Sequence, residues 1–164
     1  VRPANRKEDR KDRRLAVNKT GKRQCVVIMR ERGGRALPFV VRQEGDAVPY
    51  VRDHVDNLAV IHADEASNWD ALHAGWQAWR INHSLAYSAE GACTNQAESY
   101  FSRLRRMEVG THHHIAGPYL YAYAGEAAWR ENNRRQCNGS QAMMVAGSAM
   151  EARQSRQWSG YWQR

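Results

Sequence analysis

Apolar and polar residues follow one another along the chain in patterns that predict strands first and helices later. Residues 24–30 and 36–42 are β-rich runs, and the Arg-Gly-Gly-Arg segment between them predicts a hairpin, because glycine accepts positive φ angles. Valines near helical spacing over residues 46–56, with Pro49 in the first turn, predict a helix. The chain therefore begins as strand, strand, helix.

A second pair of strands is predicted near the middle of the chain. The short apolar run over residues 58–61 predicts a buried strand that ends in a carboxylate, Asp64. Ser67 is a candidate N-cap for a helix whose apolar positions are Trp69, Leu72 and Trp76. Residues 79–83 then indicate another short strand that ends in a polar pair.

The most regular helical pattern begins at Thr94 or Asn95 and runs to about residue 106. Its apolar stripe consists of Ala97, Tyr100, Phe101, Leu104 and Met107. A different face carries Asn95, Glu98, Ser102 and Arg105. A second long helix is predicted from residue 117 to about residue 135, where the Asn138-Gly139 pair would end it.

Asp64 and Glu98 together have the chemistry of a divalent metal site. One carboxylate follows a strand, and the other lies on a helix whose opposite side is apolar. Mg²⁺ takes oxygen ligands and keeps water, so a few carboxylates near substrate phosphates suffice. Each acid also has a structural interpretation, since acids after strands often cap the next helix and helix acids beside arginines often form exposed ion pairs. Spacing alone leaves both interpretations open.

The charge of the chain points to an acidic partner such as nucleic acid. The net charge is +8, and residues 1–23 contribute +7 of it, with ten Lys or Arg against three acids. Further candidate phosphate contacts are Arg103, Arg105, Arg106, Arg130, Arg134, Arg135 and His83. A solvated arm and a solvated basic face are the alternatives. The three histidines at 112–114 cannot all face one ion, which favours a DNA-backbone contact or a packing role.

Cysteine usage favours a reducing compartment. Cys25, Cys93 and Cys137 are odd in number, widely spaced and without a Cys-x-x-Cys pair, which indicates neither a disulfide framework nor a thiolate zinc site. No apolar stretch is long enough to span a bilayer, and the first residues lack a signal-peptide pattern. The sequence therefore predicts a cytoplasmic protein.

Several segments resemble, in order along the chain, the ISXO-like insertion-sequence transposases of bacteria. These segments are residues 62–65 (HADE), 80–83 (RINH), 92–99 (ACTNQAES), 103–106 (RLRR), 110–117 (GTHHHIAG) and 129–135 (WRENNRR). The resemblance extends to residues 2–10 (RPANRKEDR) and 160–164 (GYWQR). It therefore covers nearly the whole chain and is more specific than any single motif.

The resemblance implies a DDE-type catalytic domain with a ribonuclease H-like fold, in which helices flank a mixed sheet. Such a domain uses a two-ion site, with Mg²⁺ or Mn²⁺, to cut DNA at transposon ends and to join the freed 3′ hydroxyl to target DNA. Asp64 matches the second catalytic acid. The third position falls between Asn95 and Glu98, and Glu98 is favoured over Asn95 as the ligand. Glu126 and Arg130 match an acid and arginine pattern on the next helix.

The chain departs from the family pattern at its start. The family's first catalytic Asp precedes the Arg-Pro-Ala-Asn stretch, and the chain begins inside that stretch, at Val1. The first acid and the central strand of the sheet are therefore expected to be missing, which would leave two strand edges without partners and the chain inactive. No acid of the arm, such as Glu8, Asp9 or Asp12, is placed to substitute.

These interpretations divide the chain into a basic arm (1–23), an incomplete catalytic domain (24–137) and a helical and aromatic tail (138–164). The expected partner is DNA in the bacterial nucleoid, and a homo-oligomer on DNA is compatible with this assignment. A basic nucleic-acid-binding protein without chemistry is the main alternative, and a ribonuclease H-like nuclease shares the fold. Convergence of Asp64 and Glu98 would favour the catalytic assignment over a binding role.

Overall fold

Strands and helices alternate in the first half of the chain, and helices dominate the second. The computed structural model describes residues 24–82, 88–89, 92–115 and 117–155. The strands are β1 (Cys25–Arg30), β2 (Ala36–Val41), β3 (Val60–Asp64), β4 (Gln77–Ile81), β5 (Ser88–Ala89) and β6 (Ala92–Cys93). The α-helices are α1 (Val48–His54), α2 (Asn95–Met107), α3 (Leu120–Asn133) and α4 (Asn138–Glu151). The predicted α/β class is confirmed.

The chain divides into two compact units. The first comprises residues 1–131 and the second comprises residues 132–164. All six strands and the helices α1 and α2 belong to the first unit, whereas α4 belongs to the second. The predicted basic arm over residues 1–23 lies outside the described residues.

β1 and β2 form an antiparallel hairpin, as the sequence predicts. The two strands pair along their whole length. The turn between them contains Gly33 at φ 74°, a left-handed conformation that glycine adopts without a Cβ clash. Because successive side chains of a strand point to opposite faces, Val26 and Ile28 pack against one apolar cluster whereas Val27 lies in another.

β3 and β4 form a parallel pair in which Asp64 lies opposite Ile81. Parallel strands need a crossover connection, and here it contains a 3₁₀ helix, Ser67–Ala74. Leu72 anchors this connection in the core with 2% of its surface exposed. The carboxyl ends of both strands lie at one edge of the sheet, which is where open α/β sheets usually bind ligands.

The prediction of a buried strand over residues 58–61 is wrong at its first residues. Leu58 is 93% exposed, and the strand begins only at Val60. The physical reason is a turn in which the Leu58 amide donates to Asp56 Oδ1 at 2.8 Å, an arrangement that competes with strand pairing. The predicted carboxylate at the strand end is confirmed, because Asp64 is the last residue of β3.

Strand pairing within the described ranges produces three two-stranded sheets. β1 pairs with β2, β3 pairs with β4, and β5 pairs with β6. The larger mixed sheet of the ribonuclease H-like fold stays a prediction.

The apolar stripe predicted on α2 is buried. Tyr100 and Leu104 are 1% and 8% exposed and cluster with Ala127 and Ala128 of α3. Phe101 and Met107 are half-buried against the same cluster, which also receives Val26 and Ile28 from β1. Three elements thus share one core, and α2 is held with its polar face outward.

Tyr100 also makes a polar contact inside this core. Its hydroxyl donates to the Ala124 carbonyl at 2.8 Å, and burial raises the pKa of its phenol above the ordinary 10.0. Because the pKa of the Tyr100 phenol is higher in the folded state than in the unfolded state, its contribution to stability is complete below about pH 10. This contribution is lost as the pH rises further. We expect Tyr100→Phe to lower the free energy of unfolding by about 1 kcal/mol at neutral pH.

Urea unfolding between about pH 8 and pH 11 tests both the effect of Tyr100→Phe and the loss of stability at alkaline pH. The unaltered chain should lose more stability at the alkaline end than Tyr100→Phe does. Tyr121→Phe is the matched control, because Tyr121 is 70% exposed. Identical alkaline profiles for the unaltered chain and Tyr100→Phe would contradict the prediction.

The opposite face of the β1–β2 hairpin contacts a second group of apolar residues. A 3₁₀ turn, Glu44–Ala47, leads into α1, which buries Val48 and Val51. These valines cluster with Leu72 and Trp76 from the β3–β4 connection, and Met29 of β1 packs against them. The Trp76 indole N–H donates to the Asp56 carbonyl at 2.8 Å, so the polar end of this buried ring is satisfied.

The second unit contains α4, which begins where the sequence predicted a helix end. α3 ends at Asn133, and the Asn138-Gly139 pair starts α4 instead of terminating α3. The reason is an N-cap at Cys137, whose sulfur accepts a hydrogen bond from the Ser140 amide at 3.5 Å. A hydrogen bond with the Ser140 hydroxyl lowers the pKa of the Cys137 thiol, and the one from the Ser140 amide lowers it further. The aromatic end of the chain, residues 158–162, lies outside the described residues.

No helix in the described part of the chain combines the length and the apolar character needed to cross a lipid bilayer.

Candidate active site

Asp64 lies at the carboxyl end of β3 with its side chain exposed to solvent. Its Oδ1 accepts a hydrogen bond from the Ala66 amide at 3.1 Å. This contact closes a turn of the Asx type, which fixes the direction of the carboxylate relative to the strand. The carboxylate is therefore both accessible and oriented, as a metal ligand must be.

Arg80 of β4 holds the same turn from the neighbouring strand. Its Nε donates to the Asp64 carbonyl oxygen, and one terminal nitrogen donates to the Ala66 carbonyl oxygen. The other terminal nitrogen contacts Asp70 Oδ1 at 2.8 Å. A single guanidinium thus joins both backbone carbonyls of the turn to the 3₁₀ helix.

A contact from His62 connects β3 to the segment that leads into α2. The Cys93 amide donates to His62 Nδ1 at 3.4 Å. His62 lies two residues before Asp64 on the same face of β3, and Cys93 lies two residues before Asn95. The contact thus joins the strand that carries Asp64 to the segment that precedes the helix carrying Asn95 and Glu98.

His62 accepts this hydrogen bond as a neutral ring. Burial lowers the pKa of the imidazole, and the nearby positive charge of Arg32 lowers it further. A neutral ring with its proton on Nε2 leaves Nδ1 able to accept the Cys93 amide. The contact is thus compatible with neutral pH, and Arg32 in the β1–β2 turn is close enough to act on this end of β3.

The first turn of α2 carries the other two candidate catalytic residues. Thr94 is the N-cap, and its carbonyl accepts the Glu98 amide at 3.1 Å. Asn95 is exposed, its carbonyl accepts the Ser99 hydroxyl at 2.8 Å, and Glu98 is half-buried. A carboxylate in the first turn is favoured by the helix dipole even without a metal ion.

A buried ion cluster fixes the position of α2 on the rest of the first unit. Glu131 of α3 forms ion pairs with Arg30 of β1, at 3.3 Å, and with Arg103 of α2. The side chains of Glu131 and Arg30 are only 5% and 10% exposed. Arg30 Nε also donates to Gln96 Oε1 at 3.3 Å, in the same turn as Asn95 and Glu98. Arg103 therefore has a structural partner, which the run of arginines in the sequence did not predict.

The remaining candidate phosphate contacts lie mostly on exposed surface. Arg106 donates to the carbonyl and the hydroxyl of Ser102, each at 3.3 Å. Arg105 lies 6.0 Å from the centroid of the Phe101 ring. Both arginines are exposed, so their guanidinium groups are accessible to a polyanion.

Arg130 has an acidic partner one helical turn away. It contacts Glu126 at 2.8 Å, with 59% and 35% of the two side chains exposed. Glu126 also lies 3.5 Å from His112 Nε2, which gives one of the three consecutive histidines a packing position beside α3. Arg134 is exposed and belongs to the second unit, and His83 lies outside the described residues.

The candidate ligands have the chemistry of donors to a hard divalent cation. Asp64 and Glu98 carry carboxylates, and Asn95 carries an amide oxygen. Within the described ranges no three His, Cys, Asp or Glu side chains are grouped closely enough to enclose a metal by themselves.

Sequence reasoning did not single out Arg80, Asp70, Arg30 or Glu131. A charged residue between apolar neighbours in a strand was the available signal for Arg80, whereas Arg30 lies at the end of its strand next to Glu31. Neither pattern identifies the partner, because the partners lie on other elements.

The comparisons with known proteins agree with the resemblance seen in the sequence. The ISXO2-like transposase domain family matches residues 1–132. No curated protein and no solved structure matches the chain.

Proposed function

The chain belongs to the ISXO2-like transposase domain family, and we propose that its first unit is a ribonuclease H-like catalytic domain for metal-dependent DNA strand cleavage and strand transfer. The observation that supports this most directly is the contact between His62 and Cys93, because it joins β3, which ends at Asp64, to the segment that leads into α2. Asp64 and Glu98 then act as the metal ligands, with Asn95 as an additional oxygen donor.

In this proposal the two carboxylates hold divalent ions where a DNA phosphodiester enters. Mg²⁺ or Mn²⁺, when bound, would stabilise the attacking and the leaving oxygen of an in-line displacement. The turn orients the Asp64 carboxylate, which would hold the metal ion between itself and the phosphate. Arg105 and Arg106 bind flanking phosphates and orient the strand. Cleavage by water releases a 3′ hydroxyl, which is the nucleophile that joins the target strand.

The arginines of α2 are predicted to fall into two functional classes. Arg105→Ala and Arg106→Ala should each reduce the slope of log K against log salt by about 1, because each removes one phosphate contact. Arg103→Ala should mainly lower the stability of the fold, because Arg103 is the ion-pair partner of the buried Glu131. Fluorescence anisotropy with a labelled duplex at several salt concentrations measures the slopes, and urea unfolding measures stability.

The control for these variants is Arg52→Ala, which removes an exposed arginine from α1. We expect it to leave both the salt slope and the stability nearly unchanged. A large loss of DNA affinity in Arg103→Ala, with unchanged stability, would contradict the assignment of Arg103 as structural.

The function is tested by cleavage of DNA that carries the end of the neighbouring insertion sequence. The assay compares Mg²⁺, Mn²⁺ and EDTA, with the 164-residue chain and with a form lengthened upstream, since the resemblance places one catalytic acid there. Metal-dependent nicking at the transposon end, followed by strand transfer, is the expected result for the lengthened form. DNA binding without cleavage in both forms would favour a non-catalytic nucleic-acid-binding protein.

A further inference from the structure

Arg80 contacts the turn that carries Asp64 with two of its guanidinium nitrogens. These donate to the carbonyl oxygens of Asp64 and Ala66, and the third nitrogen contacts Asp70 Oδ1, on the following 3₁₀ helix, at 2.8 Å. The Arg80 side chain is 18% exposed, whereas that of Asp70 is 72% exposed. The contact with the Ala66 carbonyl is partly buried, whereas the contacts with the Asp64 carbonyl and with Asp70 are exposed.

The register of the sheet explains how this contact forms. Arg80 lies opposite Ala63, one position before the end of β3, so its side chain can reach past the strand end to the following turn. Asp64 is the last paired residue of β3, and Arg80 donates to its carbonyl oxygen. The Ala66 amide completes the turn by donating to Asp64 Oδ1 at 3.1 Å. The Ala66 amide restricts the rotation of the Asp64 carboxylate directly, and the Arg80 hydrogen bonds hold the backbone from which that amide donates.

We propose that Arg80 is a positioning residue for Asp64, which holds the carboxylate in the orientation that binds a divalent cation. The inference rests on the proposed function, because it takes Asp64 to be a metal ligand. Groups that orient metal ligands commonly change metal affinity by about 10- to 100-fold when they are replaced. Arg80 acts through backbone carbonyls, and a lysine cannot reproduce its planar fork although it retains the charge.

The test measures Mn²⁺ binding to the full 164-residue chain. The electron paramagnetic resonance signal of free Mn²⁺ reports how much of the ion remains unbound. Arg80→Lys should weaken Mn²⁺ binding by about 10- to 100-fold. Asp70→Asn removes only an exposed ion pair and should change the affinity by less than about threefold. Arg52→Lys, the same change at an exposed position on α1, should leave it unaltered. Exchange of the Ala66 amide with solvent should become faster in Arg80→Lys.

A second variant keeps the test decisive if Arg80→Lys fails to fold. Ala66→Pro removes the amide that donates to Asp64 Oδ1, and the Ala66 φ of −59° is one that proline adopts. It leaves Arg80 in place and should weaken Mn²⁺ binding in the same direction. Affinity equal to that of the unaltered chain in Ala66→Pro and in any folded Arg80→Lys would overturn the inference.

Asp64→Asn separates this failure from failure of the proposed function. If Asp64→Asn weakens Mn²⁺ binding while Arg80→Lys does not, Asp64 is a ligand and only the positioning role is wrong. If Asp64→Asn leaves Mn²⁺ binding unchanged, or if neither the 164-residue chain nor the lengthened form binds Mn²⁺, the metal site is wrong and the inference fails with it. If Asp64→Asn and Arg80→Lys weaken Mn²⁺ binding and Arg52→Lys does not, the result supports both the metal site and the positioning role of Arg80.

Discussion

Glu131→Ala is expected to lower the free energy of unfolding by about 3–5 kcal/mol, which is a large part of the stability of a domain of this size. The side chain of Glu131 is 5% exposed, and its partner Arg30 is 10% exposed. Removal of the carboxylate leaves the buried Arg30 guanidinium without its ion-pair partner and beside a cavity. The cost is large because a buried charge that has lost its partner retains its desolvation penalty. Arg103 loses its contact at the same time.

Urea unfolding followed by tryptophan fluorescence measures this loss. The matched control is Glu126→Ala, on the same helix, whose ion pair with Arg130 is much more exposed. Its removal should change the free energy of unfolding by about 0.5 kcal/mol or less. A double variant, Arg30→Met with Glu131→Met, should be more stable than Glu131→Ala, because it removes the buried charges together. Equal losses in Glu131→Ala and Glu126→Ala would contradict the structural role of the cluster.

This cluster also connects stability with the candidate site. Arg30 contacts Gln96 at 3.3 Å, and Gln96 lies between Asn95 and Glu98 in the first turn of α2. The ion pairs of Glu131 therefore anchor the helix whose first turn carries two proposed oxygen donors. A partial loss of this anchor should increase motion of the first turn before the whole fold is lost.

Helical periodicity allowed the core of α2 to be predicted from the sequence. Five apolar residues recur on one face, and no local signal competes with them, so the stripe identified Tyr100 and Leu104 as core residues. The predicted hairpin was equally local, since its glycine turn lies between two β-rich runs. Patterns of this kind are decided by neighbours along the chain, which a single sequence contains.

Features that depend on distant residues could not be predicted in the same way. Leu58 belongs to an apolar run, but Asp56 forms a turn with its amide, and the side chain is left in solvent. Arg103 lies among exposed arginines in the sequence, yet its partner is 28 residues away on α3. Such pairs are formed when helices and strands pack together, and charge patterns along the chain do not specify them.

The candidate site combines both cases. Asp64 was predictable because a carboxylate at the end of a strand is visible in the sequence, and Glu98 and Asn95 were predictable as one face of a helix. The contact that joins β3 to the segment before α2 links His62 to a backbone amide 31 residues later. Every residue except proline has a backbone amide, so the sequence does not show which amide His62 binds.

Asp64→Asn is expected to reduce metal-dependent DNA cleavage by about 1,000-fold or more in the lengthened form of the chain. A bound metal ion stabilises the transition state by several kcal/mol, and each 1.36 kcal/mol corresponds to a tenfold change in rate. The replacement removes the negative charge but retains an oxygen that can accept the Ala66 amide. Stability should therefore change by about 0.5 kcal/mol or less, since the side chain is exposed.

Glu65→Gln is the matched control for Asp64→Asn, because Glu65 is the next residue, is also exposed and carries the same charge. It should reduce the cleavage rate by about threefold at most, as expected for loss of a screened surface charge. A strong loss in Glu65→Gln with full activity in Asp64→Asn would move the metal site by one residue. The structure favours Asp64 over Glu65, because the contacts from Arg80 and the Ala66 amide are both made to Asp64. Comparison of the two variants thus tests whether this oriented carboxylate is the one that binds the metal.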